Sequence, residues 1–145
     1  MTKNLVTFLL VEDDDTHAHL VTRSLAKSRV ANRVHRVEDG VKALAYLKQQ
    51  GEFASCEHPD VVLLDLKLPK VDGHEVLQAI KSDPSLRKIP VVVMTTSDAE
   101  IDRAKAYDLH ANSYVVKPLD FETFRQLVND LCLYWGVWNE PPDNE

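Results

Sequence analysis

Five short runs of apolar or β-favouring residues recur along the chain: Leu5–Val11, Val30–Val37, Val61–Leu66, Ile89–Thr95 and Ser113–Val116. Four of the five are continuous rather than alternating, the pattern of strands buried on both faces of a parallel sheet. Between them lie stretches with helical period. Residues 15–28 carry Ala18, Val21 and Leu25 on one face; residues 40–50 carry Val41, Leu44 and Leu47; residues 74–81 carry Val76, Leu77 and Ile80. Residues 99–108 are mostly polar, with Ile101, Ala104 and Tyr107, and residues 120–136 carry Phe124, Val128, Leu131 and Trp135. Asp39, Asp72, Asp98 and Asp120 each precede a helix, where N-cap residues stand. Strand–helix alternation repeated in this way predicts the α/β class, with a doubly wound five-stranded parallel sheet. Nothing repeats and no linker divides the chain, so residues 1–138 read as one domain with an extended last helix. The Pro-rich acidic tail, residues 139–145, is expected to be flexible.

Composition narrows the classes. The chain has 145 residues, enough for one ordinary domain, and is 44% hydrophobic and 28% charged, enough to bury a core and stay soluble. Its net charge is −6 and it has no large Lys/Arg cluster, which speaks against nucleic acid as a partner. No apolar run approaches the length of a membrane span or a signal peptide, so a cytoplasmic protein without membrane contact is expected. Cys56 and Cys132 are far apart and form no C-x-x-C, which fits a reducing compartment and no cysteine-based zinc site. His17 and His19 are two apart on a helix and point apart, an arrangement unsuited to sharing a metal.

The candidate chemistry lies at strand ends. Asp65 follows Val61-Val62-Leu63-Leu64 and opens the loop Leu66-Lys67-Leu68-Pro69-Lys70-Val71-Asp72-Gly73. Glu12-Asp13-Asp14-Asp15 ends the run Leu5 to Val11. In open α/β sheets ligands bind beyond the carboxyl ends of the strands, at the topological switch point. With flavodoxin-like strand order 2-1-3-4-5, strands one and three are neighbours there, which brings Glu12 and Asp13 to Asp65. Three carboxylates at one place repel one another unless a hard cation fills the site. Thr95 closes Val91-Val92-Val93-Met94 on the same edge, and Lys117 closes Tyr114-Val115-Val116 ahead of Pro118. Taken singly, each has a plainer reading. Asp13 to Asp15 make a solvated N-cap cluster, Asp65 a turn residue, Thr95 a β-former, Lys117 a surface lysine and Tyr114 half-buried packing.

Together the segments Val11-Glu12-Asp13-Asp14, Leu64 to Gly73, Met94-Thr95-Thr96 and Tyr114 to Pro118 resemble the receiver domain of two-component response regulators, the chemotaxis-regulator-like fold. The likeness spans about residues 4 to 133, with the motifs in order and each at a strand end. It implies that Asp65 is the phosphoacceptor, taking a phosphoryl group from a histidine kinase's phosphohistidine as an acyl phosphate. It implies Mg2+, with Mn2+ able to substitute, held directly by Asp13 and Asp65, through water by Glu12, and by the backbone carbonyl of Lys67. It implies that Lys117 pairs with Asp65 and then with the phosphate, that Thr95 donates its hydroxyl to a phosphoryl oxygen, and that Tyr114 is the aromatic switch that turns inward with Thr95. Such a protein is a switch rather than an enzyme, beyond self-catalysed phosphorylation and dephosphorylation.

Two departures narrow the resemblance. Gln49–Pro59 is a longer connection than a βα unit needs, and the C-terminus runs on through Leu131 to Pro142. With Thr95-Thr96-Ser97 and Tyr107 to Asn112, these are similar to the stand-alone regulators of bacterial phytochrome-type histidine kinases. A generic stand-alone receiver, acting as phosphorelay intermediate or chemotaxis-type regulator, is the alternative. Nothing after residue 140 is long enough for an output domain. A haloacid-dehalogenase-like Mg2+-dependent phosphatase also uses Asp after a strand but needs a second Asp two residues on, where Lys67 stands. A receiver-shaped interaction protein that is never phosphorylated would not need the full acid, Thr and Lys set. On the last helix Phe124, Val128, Leu131 and Trp135 form one stripe, with Leu127, Tyr134 and Trp138 beside it. One stripe covers a sheet; the second predicts a homodimer through this helix, or a tail folded back over the fifth strand.

Overall fold

In a computed structural model of the chain, which describes residues 5–140, strands and helices alternate as β1 (Val6–Val11), α1 (Asp15–Ala26), β2 (Asn32–Val37), α2 (Gly40–Leu47), β3 (Val61–Leu64), α3 (Gly73–Ser82), β4 (Val91–Thr95), α4 (Glu100–Asp108), β5 (Ser113–Val116) and α5 (Phe121–Leu133). The strands form one parallel sheet in the order β2-β1-β3-β4-β5. Among the described residues no helix is long and apolar enough to cross a membrane.

The continuous apolar runs are the central strands: β1, β3 and β4 are buried at every position, whereas edge strands β2 and β5 are partly covered. Successive strand residues face opposite sides of a sheet. Leu9, Val11, Val62, Leu64, Val91 and Val93 therefore pack under α2, α3 and α4, while Phe8, Leu10, Val61, Leu63, Val92 and Met94 pack under α1 and α5. The cross-register sets Val11 beside both Val37 and Leu64, and Thr95 beside Val116. All these strand ends lie on one edge.

Helix starts follow side-chain chemistry, with one exception. Asp39, Asp72 and Asp120 each accept a backbone N–H of the first turn at 2.8 Å. Asp98 does not: the cap position of α4 is Ala99, whose N–H donates to the Ser97 hydroxyl at 3.3 Å while that hydroxyl donates to Asp102 at 2.5 Å. Two helix faces also differ from expectation. In α2 the inward stripe is Gly40, Ala43 and Leu47 with Tyr46, and Val41 is half exposed. Gly40 sets this rotation, because a Cβ there would lie 2.4 Å from the Val71 carbonyl oxygen, so the backbone itself is the contact surface. In α4 only Ala106 is buried, and Ile101, Ala104 and Tyr107 face outward.

The long connection after α2 is a packed cover rather than slack chain. Its 3₁₀ turn, Gly51–Phe53, buries Phe53 edge-on against Tyr46, with ring centroids 5.4 Å apart, and against His35 of β2 at 5.7 Å. At the other end, α5 continues into a π-helical turn, Tyr134–Trp138. Gly136 sits where a Cβ would meet Val30 at 2.7 Å and Val6 at 3.4 Å, so this turn lies against the starts of β1 and β2 and not over β5. Of the expected tail, Asn139 donates to the Tyr134 carbonyl at 2.7 Å, and residues 141–145 lie outside the described residues.

Two tests follow from these contacts. A Cβ on Gly73 would sit 2.4 Å from the Asp65 carbonyl oxygen and 2.5 Å from the Leu66 Cα, both backbone atoms. Gly73→Ala is expected to cost about 1–3 kcal/mol in urea unfolding and to shift the amide signals of residues 65–67; an unperturbed variant would show that α3 does not seat on this loop. Burial works against the Asp39 carboxylate, but the Lys42 N–H and the Lys70 and Lys42 charges outweigh it and hold the carboxyl below the ordinary 3.8. A depressed folded value means stability that is present above pH about 4 and lost as the pH falls through it. Wild type should therefore lose stability more steeply than Asp39→Asn between pH about 4 and 2, which acid titrations of urea midpoints will read.

Candidate functional site

The backbone fixes the site before any side chain does. At the end of β1, the Glu12 N–H donates to the Val37 carbonyl at 3.0 Å and the Glu12 carbonyl accepts from Arg36 Nε at 2.9 Å. The Asp65 N–H donates to the Val11 carbonyl at 3.1 Å, and the Lys117 N–H to the Thr95 carbonyl at 2.7 Å. Glu12, Asp65 and Lys117 are buried; Asp13 is exposed. Carboxylate oxygens of Glu12, Asp13 and Asp65 lie within 4.8 Å of one another.

The Lys117 ammonium reaches into this cluster. It forms a short ion pair with Glu12, lies 3.2 Å from Asp65 Oδ2 and lies 3.0 Å from His17 Nδ1. An ammonium has three N–H donors, and all three have a partner here. The other Asp65 oxygen, Oδ1, accepts the Lys67 N–H at 3.2 Å, so the carboxylate is held in one orientation. Burial pushes the Glu12 carboxyl up to about 7; the hydrogen bond and charge of Lys117 pull it down, and Asp65 pushes it up again. One ammonium does not balance three carboxylates, and Asp13 leaves the cluster open to solvent. The donor set is all oxygen and carries excess negative charge, which fits a hard divalent cation. A nucleophilic carboxylate beside a fixed positive charge also suits attack on an anionic electrophile.

The structure thus brings Glu12, Asp13, Asp65 and Lys117 together. Lys67 follows in an exposed loop, in contact through its N–H. Thr95 is wholly buried at the end of β4, and its hydroxyl accepts the Ser97 N–H at a long 3.4 Å. Half-buried Tyr114 donates its hydroxyl to the Ser97 carbonyl at 2.9 Å, so both residues converge on Ser97. The acidic run after β1 divides its work. Glu12 and Asp13 belong to the cluster, Asp14 caps α1 by accepting from the His17 N–H at 3.0 Å, and Asp15 lies 3.0 Å from Arg36. His17 was not foreseen at the site. It stands in the first turn of α1, just past the acidic end of β1, and no local sequence pattern marks it. Two hollows lie elsewhere, one of about 230 Å³ beside Lys27, Arg29 and Arg125, one of about 450 Å³ beside Asp15, His19 and Phe121. Neither is lined by Glu12, Asp13, Asp65 or Lys117, and the acid cluster meets solvent through Asp13.

A profile of the response regulator receiver domain matches residues 8–129. The chain is 47% identical over 134 residues to Probable methanogenesis regulatory protein FilR2 of Methanothrix harundinacea, covering 92% of this chain and 86% of that protein. It is 42% identical over 127 residues to Response regulator Rcp1 of Synechocystis sp. PCC 6803, covering 88% and 86%. Its fold superposes on the phosphorylated cyanobacterial phytochrome response regulator RcpA with a TM-score of 0.92 at 44% identity, covering 95% of this chain and 99% of that one. The superposition on the Mn2+-bound form of Rcp1 has a TM-score of 0.91 at 39% identity, with the same coverage.

Proposed function

Because the chain belongs to the response regulator receiver domain family, we propose that Asp65 is the phosphoacceptor of a switch set by a histidine kinase. The observation that carries this reading is the Asp65 carboxylate 3.2 Å from the buried Lys117 ammonium, inside a cluster of three carboxylates. An Asp65 oxygen attacks the phosphorus of the kinase's phosphohistidine. The O–P bond of an acyl phosphate forms, the P–N bond breaks, and the imidazole leaves with the electron pair and takes a proton from solvent. Asp13 and Asp65 would hold Mg2+ directly, Glu12 through water and Lys67 through its carbonyl, with Mn2+ able to substitute. When bound, the ion neutralises charge on the transferring phosphoryl group. Lys117 exchanges its contact with Asp65 for a phosphoryl oxygen. The Thr95 hydroxyl turns from the Ser97 N–H to donate to another phosphoryl oxygen, and Tyr114, bonded to the Ser97 carbonyl, moves with that segment. Lys67 at the position of a phosphatase's second Asp disfavours turnover of external substrates.

The donor in this reading is a phytochrome-type kinase in the cytoplasm, supported by the likeness to RcpA and Rcp1 along nearly the whole chain. A kinase with another input is the second reading, favoured by the 47% identity to FilR2. Output passes through a homodimer on α5 and the turn after it. Phe124, Val128 and Cys132 are spent on the core, and Leu127, Leu131 and Trp135 pack against it. Leu133, Tyr134, Val137 and Trp138 are left facing solvent, with Trp138 75% exposed. A contiguous aromatic and aliphatic patch of this kind suits an interface.

With acetyl phosphate and Mg2+, wild type should acquire a hydroxylamine-labile phosphoryl group and Asp65→Asn should not. Asp13→Ala should lose most Mg2+ binding, read by chemical-shift titration. Labelling of Asp65→Asn at the wild-type level would overturn the assignment. Light scattering at tens of micromolar should give a dimer, reduced to monomer in Trp138→Ala/Tyr134→Ala; a wild-type monomer with and without acetyl phosphate would end the dimer reading.

A further inference from the structure

We propose that His17 is a positioning residue for Lys117, a role that rests on the reading of Asp65 as phosphoacceptor. The geometry leaves little freedom. The Lys117 side chain is 1% exposed, and its ammonium meets Glu12, Asp65 and His17 Nδ1, the last at 3.0 Å. An ammonium donates and cannot accept, so Nδ1 must present its lone pair. The ring is then neutral and carries its proton on Nε2. A buried N–H without a partner is costly, and a lysine missing one would lean toward whichever carboxylate pulls harder. Glu12 and Asp65 both pull on it. His17 counters that pull with an acceptor of no net charge, and so keeps the ammonium within reach of the atom that will bear the phosphoryl group.

His17 is itself held on two sides. Its backbone N–H is taken by the Asp14 carboxylate at 3.0 Å, and its ring lies against Phe124 of α5, centroids 5.9 Å apart and tilted by 41°. Phe124 is on the buried face of α5, the helix that runs into the turn carrying the exposed patch. When Lys117 exchanges Asp65 for a phosphoryl oxygen, the Nδ1 contact must follow or break, and either outcome alters the packing of the ring on α5. His17 therefore links the site lysine to the helix that bears the output surface.

Two variants separate the acceptor from the ring. His17→Phe keeps a ring against Phe124 and removes the acceptor; His17→Asn places a carbonyl oxygen near the position of Nδ1 and removes the ring. Phosphorylation of folded protein by acetyl phosphate and Mg2+ should be about tenfold slower in His17→Phe and should recover toward the wild-type rate in His17→Asn. Long-range ¹⁵N NMR of the metal-free wild type at neutral pH should show the neutral Nε2–H tautomer. Equal rates in wild type and His17→Phe overturn the proposal, as does a slow His17→Asn or a proton on Nδ1. If wild type takes no label while the tautomer is as expected, it is the Asp65 reading that fails, and the positioning role falls with it for want of a reaction.

Discussion

The constraint on which the site depends is one buried ammonium among carboxylates. Glu12 and Asp65 are nearly inaccessible to water, and burial of two acids side by side would ordinarily drive one of them neutral. Lys117 is brought to them from β5, two strands beyond β3, and bonds both. Burial raises the Glu12 carboxyl to about 7 against the pull of Lys117, and one ammonium leaves part of the charge of three carboxylates unbalanced, which fits a hard cation.

The sheet makes that cluster possible. Parallel pairing puts the ends of β1, β3, β4 and β5 on one edge, and continuous burial of β1, β3 and β4 leaves their registers no freedom to slip, since sliding by one residue would exchange the two cores. The loop after β3 is then seated by backbone: the Gly73 N–H donates to the Leu66 carbonyl at 2.9 Å, and Val71 to Pro69 at 2.8 Å. Lys70 closes this loop at φ 68°, a left-handed conformation for a residue with a side chain, and its ammonium lies 3.6 Å from Asp39. Asp39 in turn caps α2, so the loop bearing Asp65 is tied to a helix on the face away from α1 and α5.

The two faces of the sheet consequently serve different ends. Under α2, α3 and α4 lie the tethers of the Asp65 loop and the Ser97 junction shared by Thr95 and Tyr114. On α1 stands His17, whose Nδ1 lies 3.0 Å from the Lys117 ammonium, and on α5 stands Phe124, whose ring meets that of His17. In the proposed reading, a phosphoryl group on Asp65 would be felt through Thr95 on one side and Lys117 on the other. The π-helical turn after α5 also has a structural reason. Gly136 lets the backbone close on Val30 and Val6, which turns Tyr134, Val137 and Trp138 outward together.

Much of this was legible in the chain itself. Continuous apolar runs identified the buried strands, acidic residues at their ends identified Glu12, Asp13 and Asp65, and three of four aspartate caps stood where expected. These are local signals: burial on both faces, a carboxylate where a strand stops, an acceptor ahead of free N–H groups. What the tertiary structure alone decided was rotation and contact. Val41 and Ile101 looked inward by spacing, but the close seat of Gly40 on Val71 turns α2 away from that stripe, and α4 meets the molecule through Ala106 alone among its buried residues. Asp98 caps nothing because the cap position of α4 falls one residue later, on Ala99, which has no side chain able to cap. His17 joined the site because Lys117, a hundred residues away, ends on its Nδ1. Periodicity states which side chains avoid water; only the packed fold states which atom each of them meets.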